Sequence, residues 1–447
     1  MPAIPERLQR QLTPIAPAAQ DGYAASESPA RAAANFHNPD PPMTPTAAIA
    51  NPQRRNVTVL ALAQALFMSV QGMGAIANPL AGYMLLGADE KWLATVPVFL
   101  MQLGIMGATV PASLLMAVIG RRAGFTFGAL LGILAGAVGC MALYRQSFPL
   151  LCAAALCQGM QAAFFWYFRL AAADAAEPAR RAKAISLVMA GGVLAGILGP
   201  QAAKWSVDLL APVTFAGVYL GMAAFSIAVL VLIQLLRIPG LTTAERAAGG
   251  RPMTEIARQP AYRVALASSV LGYAVMTLTM SATPLAMLAC GFGFGDSATV
   301  IQMHIVAMFL PSFFTGHLIA RFGVLTVIAA GALFELGGAL VSLTGLELGH
   351  FAVANVLIGL GWNFTYVGGS TLLTSTYAPA ERAKVQASHD FTVYTATASA
   401  AALSGVLQAK AGWAVINLAT LPLMAVVVGA VLWLLARQRR VAPAPAE

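Results

Sequence analysis

Long uninterrupted apolar stretches dominate the pattern of this chain. Cutting the sequence at every Lys, Arg, Asp and Glu leaves eleven charge-free stretches long enough to cross a bilayer, and a twelfth, 322–346, that is interrupted only by Glu335. A membrane-crossing helix needs about 20 apolar residues, and runs of this length satisfy their backbone groups in lipid only as helices. We therefore predict an all-α integral membrane protein with twelve transmembrane spans. The other eleven stretches, in chain order, are 56–88, 92–120, 123–144, 146–168, 184–203, 209–236, 264–295, 297–320, 348–380, 391–409 and 411–436.

The connections between the predicted spans are short except for one. Residues 237–263 carry five arginines and separate six spans from six, which predicts a linker between an N-terminal half, 56–236, and a C-terminal half, 264–437. Residues 1–55 are rich in Pro and Ala and show no periodicity, so we expect a disordered tail there and a second, shorter tail over 438–447.

The number and distribution of charged residues indicate how the chain is oriented in the membrane. Only 10% of the 447 residues are charged, against about 25% in an average soluble domain, which excludes an ordinary cytosolic enzyme. The net charge of +9 would suggest a nucleic-acid partner in a soluble chain, but 21 of the 26 Lys and Arg residues fall on one set of alternate loops and four on the other. This bias predicts cytoplasmic termini, and hence a cytoplasmic linker, in a bacterial-type inner membrane, with no nucleic acid bound. The one remaining cation, Arg169, lies inside a span.

Other composition signals are weak. Residues 1–55 contain no apolar core that would predict a secretory signal peptide. Four scattered cysteines are too few for a disulfide framework or a zinc site, so we expect no metal and no cofactor.

An internal repeat relates the two halves. Pro178–Lys183 follows span 4 and Pro379–Lys384 follows span 10, at an offset of 201 residues. The basic turn Gly120–Arg122 after span 2 corresponds to Arg321–Gly323 after span 8 at an offset of about 203. Six spans repeated in the same orientation predict a parallel repeat about an axis along the membrane normal.

With these features the chain resembles the major facilitator superfamily of secondary transporters over 57–437. The resemblance rests on the twelve spans, the six-plus-six repeat, the basic turns, and the loop that begins at Asp174 and ends at Arg181. Gly196–Pro200 in span 5 and Gln158-Gly159 in span 4 match parts of further family motifs. The family resemblance implies a monomer in the lipid bilayer that moves a small-molecule substrate by alternating access.

The sequence departs from the family pattern at several motif positions. Ser113, Ala117 and Val118 replace the Gly, Asp and Arg of the first basic turn, and Ala320 replaces the acid of the second. Ala155 stands where span 4 usually carries the arginine linked with proton coupling, so the family's coupling mechanism is not carried over.

Spans 1, 4, 7 and 10 line the central cavity in the resembled fold, and each of them carries a polar or aromatic stripe at helical spacing. We expect these stripes to bind a partly aromatic or amphipathic substrate, the alternative being that they hydrogen-bond neighbouring helices as packing contacts. The candidate cavity residues are Gln71, Asn78, Gln158, Gln161, Phe165, Arg169, Tyr273, Thr277, Trp362, Asn363 and Tyr366.

Two charges near the cytoplasmic end of the spans suggest a gate. Arg169 in span 4 and Asp390 in span 11 would pair in the outward-facing state and separate on opening. The alternative is a pair within one half, such as Arg169 with Asp174. By resemblance, the loop residues Asp174, Arg181 and Arg382 act as latches between conformations, although solvated loop charges would leave the same pattern.

Proton coupling has four candidate residues, Asp390, His389, His304 and Glu335. His304 in span 8 and Glu335 in span 9 lie at similar depth, so a contact between them is possible, and a structural buried role for Glu335 is the alternative.

The function predicted from the sequence is secondary active transport of a small organic solute, with a proton gradient as a candidate energy source. No phosphate-binding loop for ATP is present, and no motif of a membrane-embedded enzyme occurs. A non-transporting receptor or channel is a further rival, disfavoured by the repeat. Gly196-x-x-Gly199-Pro200 hints at a drug or metabolite exporter, while a nutrient or cofactor importer stays open.

Overall fold

The computed structural model describes residues 52–175, 181–237 and 250–441, which form α-helices joined by short turns and two 3-10 helices, with no strand in these ranges. Most of the predicted N-terminal tail, part of the linker and the end of the C-terminal tail lie outside the described residues, as does the start of the first repeated loop. The helices are α1 Pro52–Leu85, α2 Val96–Ile119, α3 Arg121–Tyr144, α4 Phe148–Phe165, α5 Phe168–Asp174, α6 Arg181–Ser206, α7 Ala216–Gln234, α8 Met253–Ile256, α9 Pro260–Ala289, α10 Phe294–Phe309, α11 Ser312–Phe322, α12 Val324–Thr344, α13 Leu348–Thr374 and α14 Arg382–Val441.

Ten helices in the described ranges are long and apolar enough to cross a membrane, or eleven when the bent pair α10 and α11 counts as one. The sixty-residue α14 is interrupted at Gly412, whose φ of 78° and ψ of 178° are not helical. Sixty residues at about 1.5 Å per residue would reach about three times the thickness of a hydrocarbon core, so a single crossing by α14 is excluded.

The same set of helix neighbours occurs twice. In the N-terminal bundle, α1–α7, α1 packs on α6, and α4 packs on both α2 and α3. In the C-terminal bundle, α9–α14, α9 packs on α14, and α13 packs on both α10 and α12. The two bundles meet where α6 contacts α10 and where α2 contacts α14.

Two helix-to-helix turns repeat the same backbone conformation. Gly120, between α2 and α3, has φ 85° and ψ 158°, and Gly323, between α11 and α12, has φ 84° and ψ 150°. Both glycines adopt a positive φ that residues with a side chain rarely reach, and each donates its N–H to the carbonyl four residues earlier. The basic turns noted in the sequence are therefore equivalent structural elements.

We call the side of the molecule at which α1 begins the terminal face and the side at which α1 ends the opposite face. Asn56, near the start of α1, donates its side-chain N–H to the carbonyl oxygen of Arg237 at 2.8 Å, so the end of the α7 region also lies at the terminal face.

One predicted span, 297–320, is broken in the structure. The axes of α10 and α11 differ by 44° across a break that contains Pro311. The side chain of Asn363 on α13 stabilises the break, because its Nδ2 donates to the carbonyl of Met308 and to Ser312 Oγ, both at 2.7 Å. Thr315 Oγ1 in turn donates to Asn363 Oδ1 at 2.7 Å. A backbone carbonyl at the break thus has a partner inside the protein, as membrane-buried groups require.

The end of the predicted linker is attached to the loop before α14. The guanidinium of Arg251 binds the Glu381 carboxylate through two bonds, Nη2 to Oε2 at 2.8 Å and Nε to Oε1 at 3.0 Å. The backbone N–H groups of Arg251 and Ala378 donate to the same carboxylate. These bonds hold the pKa of Glu381 at about 2, well below its usual 4.5, and the bond from the Arg251 side chain has the largest effect. Lys384 Nζ donates to the Arg251 carbonyl, so this junction ties the C-terminal part of the linker to the C-terminal bundle.

Candidate functional site

A cavity lies between the two bundles. One side is formed by α1, α2 and Trp166, which follows α4, and the other by α9, α10 and α13. Its lining residues are Met68, Gln71, Gly72, Ala75, Val98, Met101, Gln102, Ile105, Trp166, Tyr273, Met276, Thr277, Met280, Ser281, Ile305, Met308, Phe309 and Trp362.

Four of the candidate cavity residues from the sequence line this cavity. Gln71 comes from α1, Tyr273 and Thr277 from α9, and Trp362 from α13. Ser281, the next residue of the α9 stripe, is also in the lining. Helical spacing of polar and aromatic residues thus brings side chains from three of the four expected helices to one place.

Aromatic rings form one wall of the cavity. Trp362 and Tyr366 on α13 stack with their centroids 5.2 Å apart and their planes at 10°. Tyr273 meets both rings edge-on at 5.3 Å, and Phe309 approaches Trp362 at 6.0 Å. Tyr366 does not line the cavity itself but supports Trp362 from behind, which fixes the plane that the indole offers.

Four buried polar atoms in the lining have no hydrogen-bond partner in the described structure. They are Gln71 Nε2, Trp166 Nε1, Ser281 Oγ and Trp362 Nε1. The Trp362 side chain is 6% exposed and Ser281 is 2% exposed, so neither is placed to reach bulk water freely. Buried polar groups are normally paired, and unpaired groups converging on one cavity indicate places for a bound molecule or water.

Most of the rest of the lining is apolar and adaptable. Five methionines contribute to it, and every lining side chain is uncharged. Thioethers are flexible, polarisable and favourable against aromatic faces, so they suit a flat ring that enters and leaves. The methionines are Met68, Met101, Met276, Met280 and Met308.

Three candidate cavity residues are instead hydrogen-bonded within the N-terminal bundle. Asn78 Nδ2 donates to Gln158 Oε1 at 3.1 Å, and Tyr219 Oη donates to Asn78 Oδ1 at 2.8 Å. Gln161 Nε2 donates to Ser226 Oγ at 3.2 Å. The structure places all three side chains outside the lining, in the packing arrangement that the sequence left open as the alternative.

Two further candidates lie apart from the cavity. Phe165 is completely buried, 4.7 Å from Phe168 and 5.1 Å from Phe67 between ring centroids, inside the N-terminal bundle. Asn363 is also completely buried and serves the α10–α11 break described above.

The candidate gate residues lie on the terminal-face side of the cavity. Arg169 is exposed, and Asp390, whose side chain is 38% exposed, contacts His389 with Oδ1 to Nδ1 at 3.0 Å. No ion pair joins Arg169 to Asp390 in the described part of the chain, yet both charges act electrostatically on the Tyr366 and Tyr394 hydroxyls. Both charges are therefore close enough to influence the same two tyrosines.

The other gate candidates are only partly described. Arg382 is exposed at the start of α14. Asp174 and Arg181 end α5 and begin α6, but their side chains lie outside the described structure.

The remaining coupling candidates are buried separately. His304 Nδ1 lies 2.7 Å from the carbonyl oxygen of Asn355, and its Nε2 has no partner in the described structure. Glu335 is completely buried, and its Oε1 accepts a hydrogen bond from Thr365 Oγ1 at 3.0 Å. In the described ranges no hydrogen bond or ion pair joins His304 to Glu335.

Polar contacts between the bundles are found near the opposite face. Gln201 donates to Gln302 and Lys204 donates to Thr299, both at 2.6 Å. Thr95 Oγ1 accepts the backbone N–H of Gly405 at 3.0 Å. With the ring contact of Phe215 and Phe294 at 5.3 Å, they bring the bundles together on that side of the cavity.

Sequence reasoning missed several lining residues. Trp166 falls in the turn between α4 and α5, off the stripe that helical spacing extends through span 4. Gln102 belongs to α2, which is not one of the four helices expected to line the cavity. An intramembrane amide in span 2 was a signal available for Gln102, whereas nothing in the sequence marks the break at Trp166.

Comparison with known proteins defines the class. No family model matches the chain. The chain is 38% identical over 376 residues to the riboflavin transporter RfnT of Brucella anthropi, an alignment that covers 84% of this chain and 94% of that one. It is 28% identical over 398 residues to the uncharacterized MFS-type transporter YddS of Bacillus subtilis, covering 85% and 91%. Among solved structures, the nucleoside transporter NupG superposes with a TM-score of 0.63 at 15% identity, covering 84% of this chain and 99% of that one.

The chain belongs to the major facilitator superfamily. It is a multi-pass membrane protein and a secondary transporter of a small molecule rather than an enzyme, and its fold is the one shared by solved transporters of this superfamily.

Proposed function

We propose that this transporter carries riboflavin or a closely related neutral flavin. The observation that carries the proposal is the cavity wall formed by Trp362, with Tyr273 and Phe309 beside it, in a lining without a charged side chain. Such a wall suits a flat, uncharged aromatic ring, because burial of the ring among aromatic side chains and methionines is favourable.

Riboflavin has the matching chemistry. Its tricyclic ring is planar and apolar on both faces, and its edge carries carbonyl oxygens and ring nitrogens. Its sugar-alcohol chain needs hydroxyl or amide partners, which Gln71, Gln102, Thr277 and Ser281 supply in the lining. The relative RfnT, 38% identical, is a riboflavin transporter, and this likeness supports the same substrate class here.

We further propose twelve spans in two halves with both termini in the cytoplasm of a bacterial-type cell, the protein acting as a monomer in the inner membrane. The break at Gly412 divides α14 into two spans, and the bent pair α10–α11 is another. With α4 and α5 forming one interrupted span, the total is twelve. The terminal face is then cytoplasmic, in agreement with the distribution of Lys and Arg on alternate loops.

Alternating access then follows from the contacts between the halves. The bundles are joined near the outer face through the Gln201–Gln302 and Lys204–Thr299 bonds, while no ion pair joins Arg169 to Asp390 among the described residues. We assign this arrangement to the inward-facing state and propose that Arg169 and Asp390 pair when the cytoplasmic side closes.

Proton coupling is proposed through Glu335, with His304, His389 and Asp390 as the other candidates. A carboxylate buried in the membrane without a cation is costly, so Glu335 is suited to taking up and releasing a proton during the transport cycle. Glu335 accepts a hydrogen bond from Thr365, which precedes Tyr366 on α13. A change in the charge of Glu335 would therefore act directly on the helix that carries the aromatic wall.

Uptake of radiolabelled riboflavin into proteoliposomes tests the proposed function. Vesicles with the purified protein should accumulate or exchange riboflavin above empty vesicles, and unlabelled riboflavin should compete while a nucleoside, a sugar and a dipeptide should not. Equal flux in loaded and empty vesicles, or competition by the other solutes instead, would contradict it. An outward gradient in the same vesicles shows whether efflux also occurs.

A further inference from the structure

We infer that the cavity selects the oxidised ring of a flavin over its reduced form, through hydrogen-bond donors that face the ring edge. This inference rests on the proposed function, because it concerns how the same cavity recognises its substrate. It assigns Gln71, Trp166 and Trp362 as specificity-determining residues for the ring rather than for the sugar-alcohol chain.

The unpaired polar atoms of the cavity lining are mostly hydrogen-bond donors. Three of the four unpartnered buried atoms in the lining are nitrogens that can only donate: Gln71 Nε2, Trp166 Nε1 and Trp362 Nε1. The fourth, Ser281 Oγ, can donate or accept. The cavity therefore offers an excess of donors, and a ligand that satisfies them must present acceptors.

These donors come from both bundles. Gln71 lies on α1 and Trp166 follows α4, both in the N-terminal bundle, while Trp362 lies on α13 in the C-terminal bundle. A ring edge held by all three would contact both bundles at once. The indole of Trp362 is held in its plane by Tyr366 behind it, so the direction of its N–H is fixed before the ligand arrives.

Reduction of a flavin changes the polar groups on the edge of its ring. The oxidised isoalloxazine edge carries four acceptors, the two carbonyl oxygens and the nitrogens N1 and N5, and one donor, N3–H. Reduction by two electrons and two protons places hydrogens on N1 and N5, which turns two acceptors into donors. A donor facing a donor leaves two buried N–H groups unpaired, a penalty that the oxidised ring avoids. The amide oxygen of Gln71 remains as an acceptor for N3–H in either state.

The test measures equilibrium binding of riboflavin to the purified protein in detergent. Wild-type protein is compared with Trp362→Phe and Trp166→Phe, which keep a flat ring and remove only the N–H, and with Trp205→Phe as a control. The Trp205 side chain is 78% exposed near the end of α6 and lies outside the cavity. The ligands are riboflavin, lumiflavin, which lacks the sugar-alcohol chain, and riboflavin reduced with dithionite under argon.

The expected result is a pattern across variants and ligands. Each cavity variant should bind riboflavin and lumiflavin about three- to tenfold more weakly, as for the loss of one buried hydrogen bond, and Trp205→Phe should bind as wild type does. Wild-type protein should bind reduced riboflavin at least about tenfold more weakly than oxidised riboflavin, and this preference should narrow in Trp362→Phe or Trp166→Phe.

The outcomes separate this inference from the proposed function. Tight riboflavin binding with equal affinity for the reduced form, or with unchanged affinity in both cavity variants, would overturn the inference and leave the proposed function standing. No riboflavin binding by folded wild-type protein would overturn both. Thermal melting of each variant shows whether it is folded. Gln71→Met removes the donor at nearly the same size without adding a charge, and it provides an independent variant expected to lower affinity for oxidised riboflavin.

Discussion

The indole ring of Trp362 lies parallel to the phenol ring of Tyr366, one helical turn further along α13, with centroids 5.2 Å apart. The two residues have different positions in the site, because Trp362 lines the cavity and Tyr366 stands behind it next to His389, at 6.3 Å between ring centroids. The stack thus connects the proposed substrate surface to the His389–Asp390 pair, where the cytoplasmic gate is proposed.

The proposed gate predicts rescue by charge exchange. Arg169→Asp or Asp390→Arg alone should lower riboflavin transport by about tenfold or more, because two like charges oppose closure of the cytoplasmic side. The double variant should recover a substantial part of the transport rate. Arg437→Asp, which changes an exposed arginine near the end of α14, serves as the control and should transport normally.

If the double variant stays as inactive as the single ones while all are folded, the two charges do not pair during transport. Transport in single variants at the wild-type rate would contradict the gate equally.

If Glu335 couples transport to protons, its substitution should abolish proton-driven accumulation of riboflavin but not riboflavin exchange. Glu335→Gln keeps an acceptor for Thr365 and a similar volume but cannot release a proton. It should retain riboflavin exchange across vesicles without a gradient and lose accumulation driven by an imposed pH gradient. Glu90→Gln, at an exposed site beyond α1, should keep both activities. Glu335 would not be the coupling residue if riboflavin accumulation by the wild-type protein did not depend on the pH gradient. The same conclusion would follow if Glu335→Gln accumulated riboflavin in response to the gradient as the wild type does.

The crossing of α2 and α4 depends on a glycine. A Cβ atom at Gly159 would lie 2.0 Å from the carbonyl oxygen of Met101, a backbone atom that cannot rotate away. Gly159→Ala should therefore lower the free energy of unfolding by about 1–3 kcal/mol or more, seen as a lower melting temperature in detergent.

Gly107 on α2 is the matched control, because nothing lies within 4 Å of its added Cβ. Gly107→Ala should leave stability unchanged or raise it by up to about 1 kcal/mol through helix propensity. A melting temperature that is the same for both alanine variants would show that the helix crossing accommodates the added methyl group without cost.

The contact between Arg251 and Glu381 should stabilise the fold by an amount that does not change with pH near neutrality. Because Arg251 holds the pKa of Glu381 at about 2, against its usual 4.5, the ionised carboxylate stabilises the fold fully above pH 4.5, and the stabilisation is lost as the pH falls through about 2. Glu381→Gln should lower the melting temperature at pH 7, and the difference from wild type should stay constant between about pH 5.5 and 8.

Glu347→Gln is the control, since the Glu347 side chain is 89% exposed and lies 4.0 Å from His350. A difference between wild type and Glu381→Gln that disappears on acidification from pH 8 to about 5.5 would contradict an assignment to this carboxylate.

Hydrophobic runs and helical spacing predicted much of this architecture. Charge-free runs located the helices, because charged side chains are excluded from lipid. The i, i+4 stripe on α9 grouped Tyr273 with Thr277, and both residues line the cavity. The stripe on α1 grouped Gln71 with Asn78, yet these side chains are about 10 Å apart along the helix, and only Gln71 reaches the cavity. Periodicity shows which residues share one face of a helix. It does not show at which level along the helix the cavity between the two bundles lies.

Other features needed the three-dimensional arrangement. Trp166 faces the cavity because α4 ends at Phe165, and the break has no signal in the apolar run around it. Asn363 shares a helix with Trp362, but its amide is used by the α10–α11 bend, which depends on a contact between two helices. The Arg251–Glu381 junction joins residues 130 positions apart, and neither its partner choice nor its geometry follows from local sequence.

The most direct test of the account is riboflavin uptake by Trp362→Ala protein in proteoliposomes, with Trp205→Ala as the exposed tryptophan control. Removing the Trp362 ring from the cavity wall should reduce initial uptake of riboflavin at least about tenfold, while Trp205→Ala transports at the wild-type rate. Equal riboflavin uptake by folded Trp362→Ala and wild-type protein would contradict the claim that this cavity binds the transported flavin.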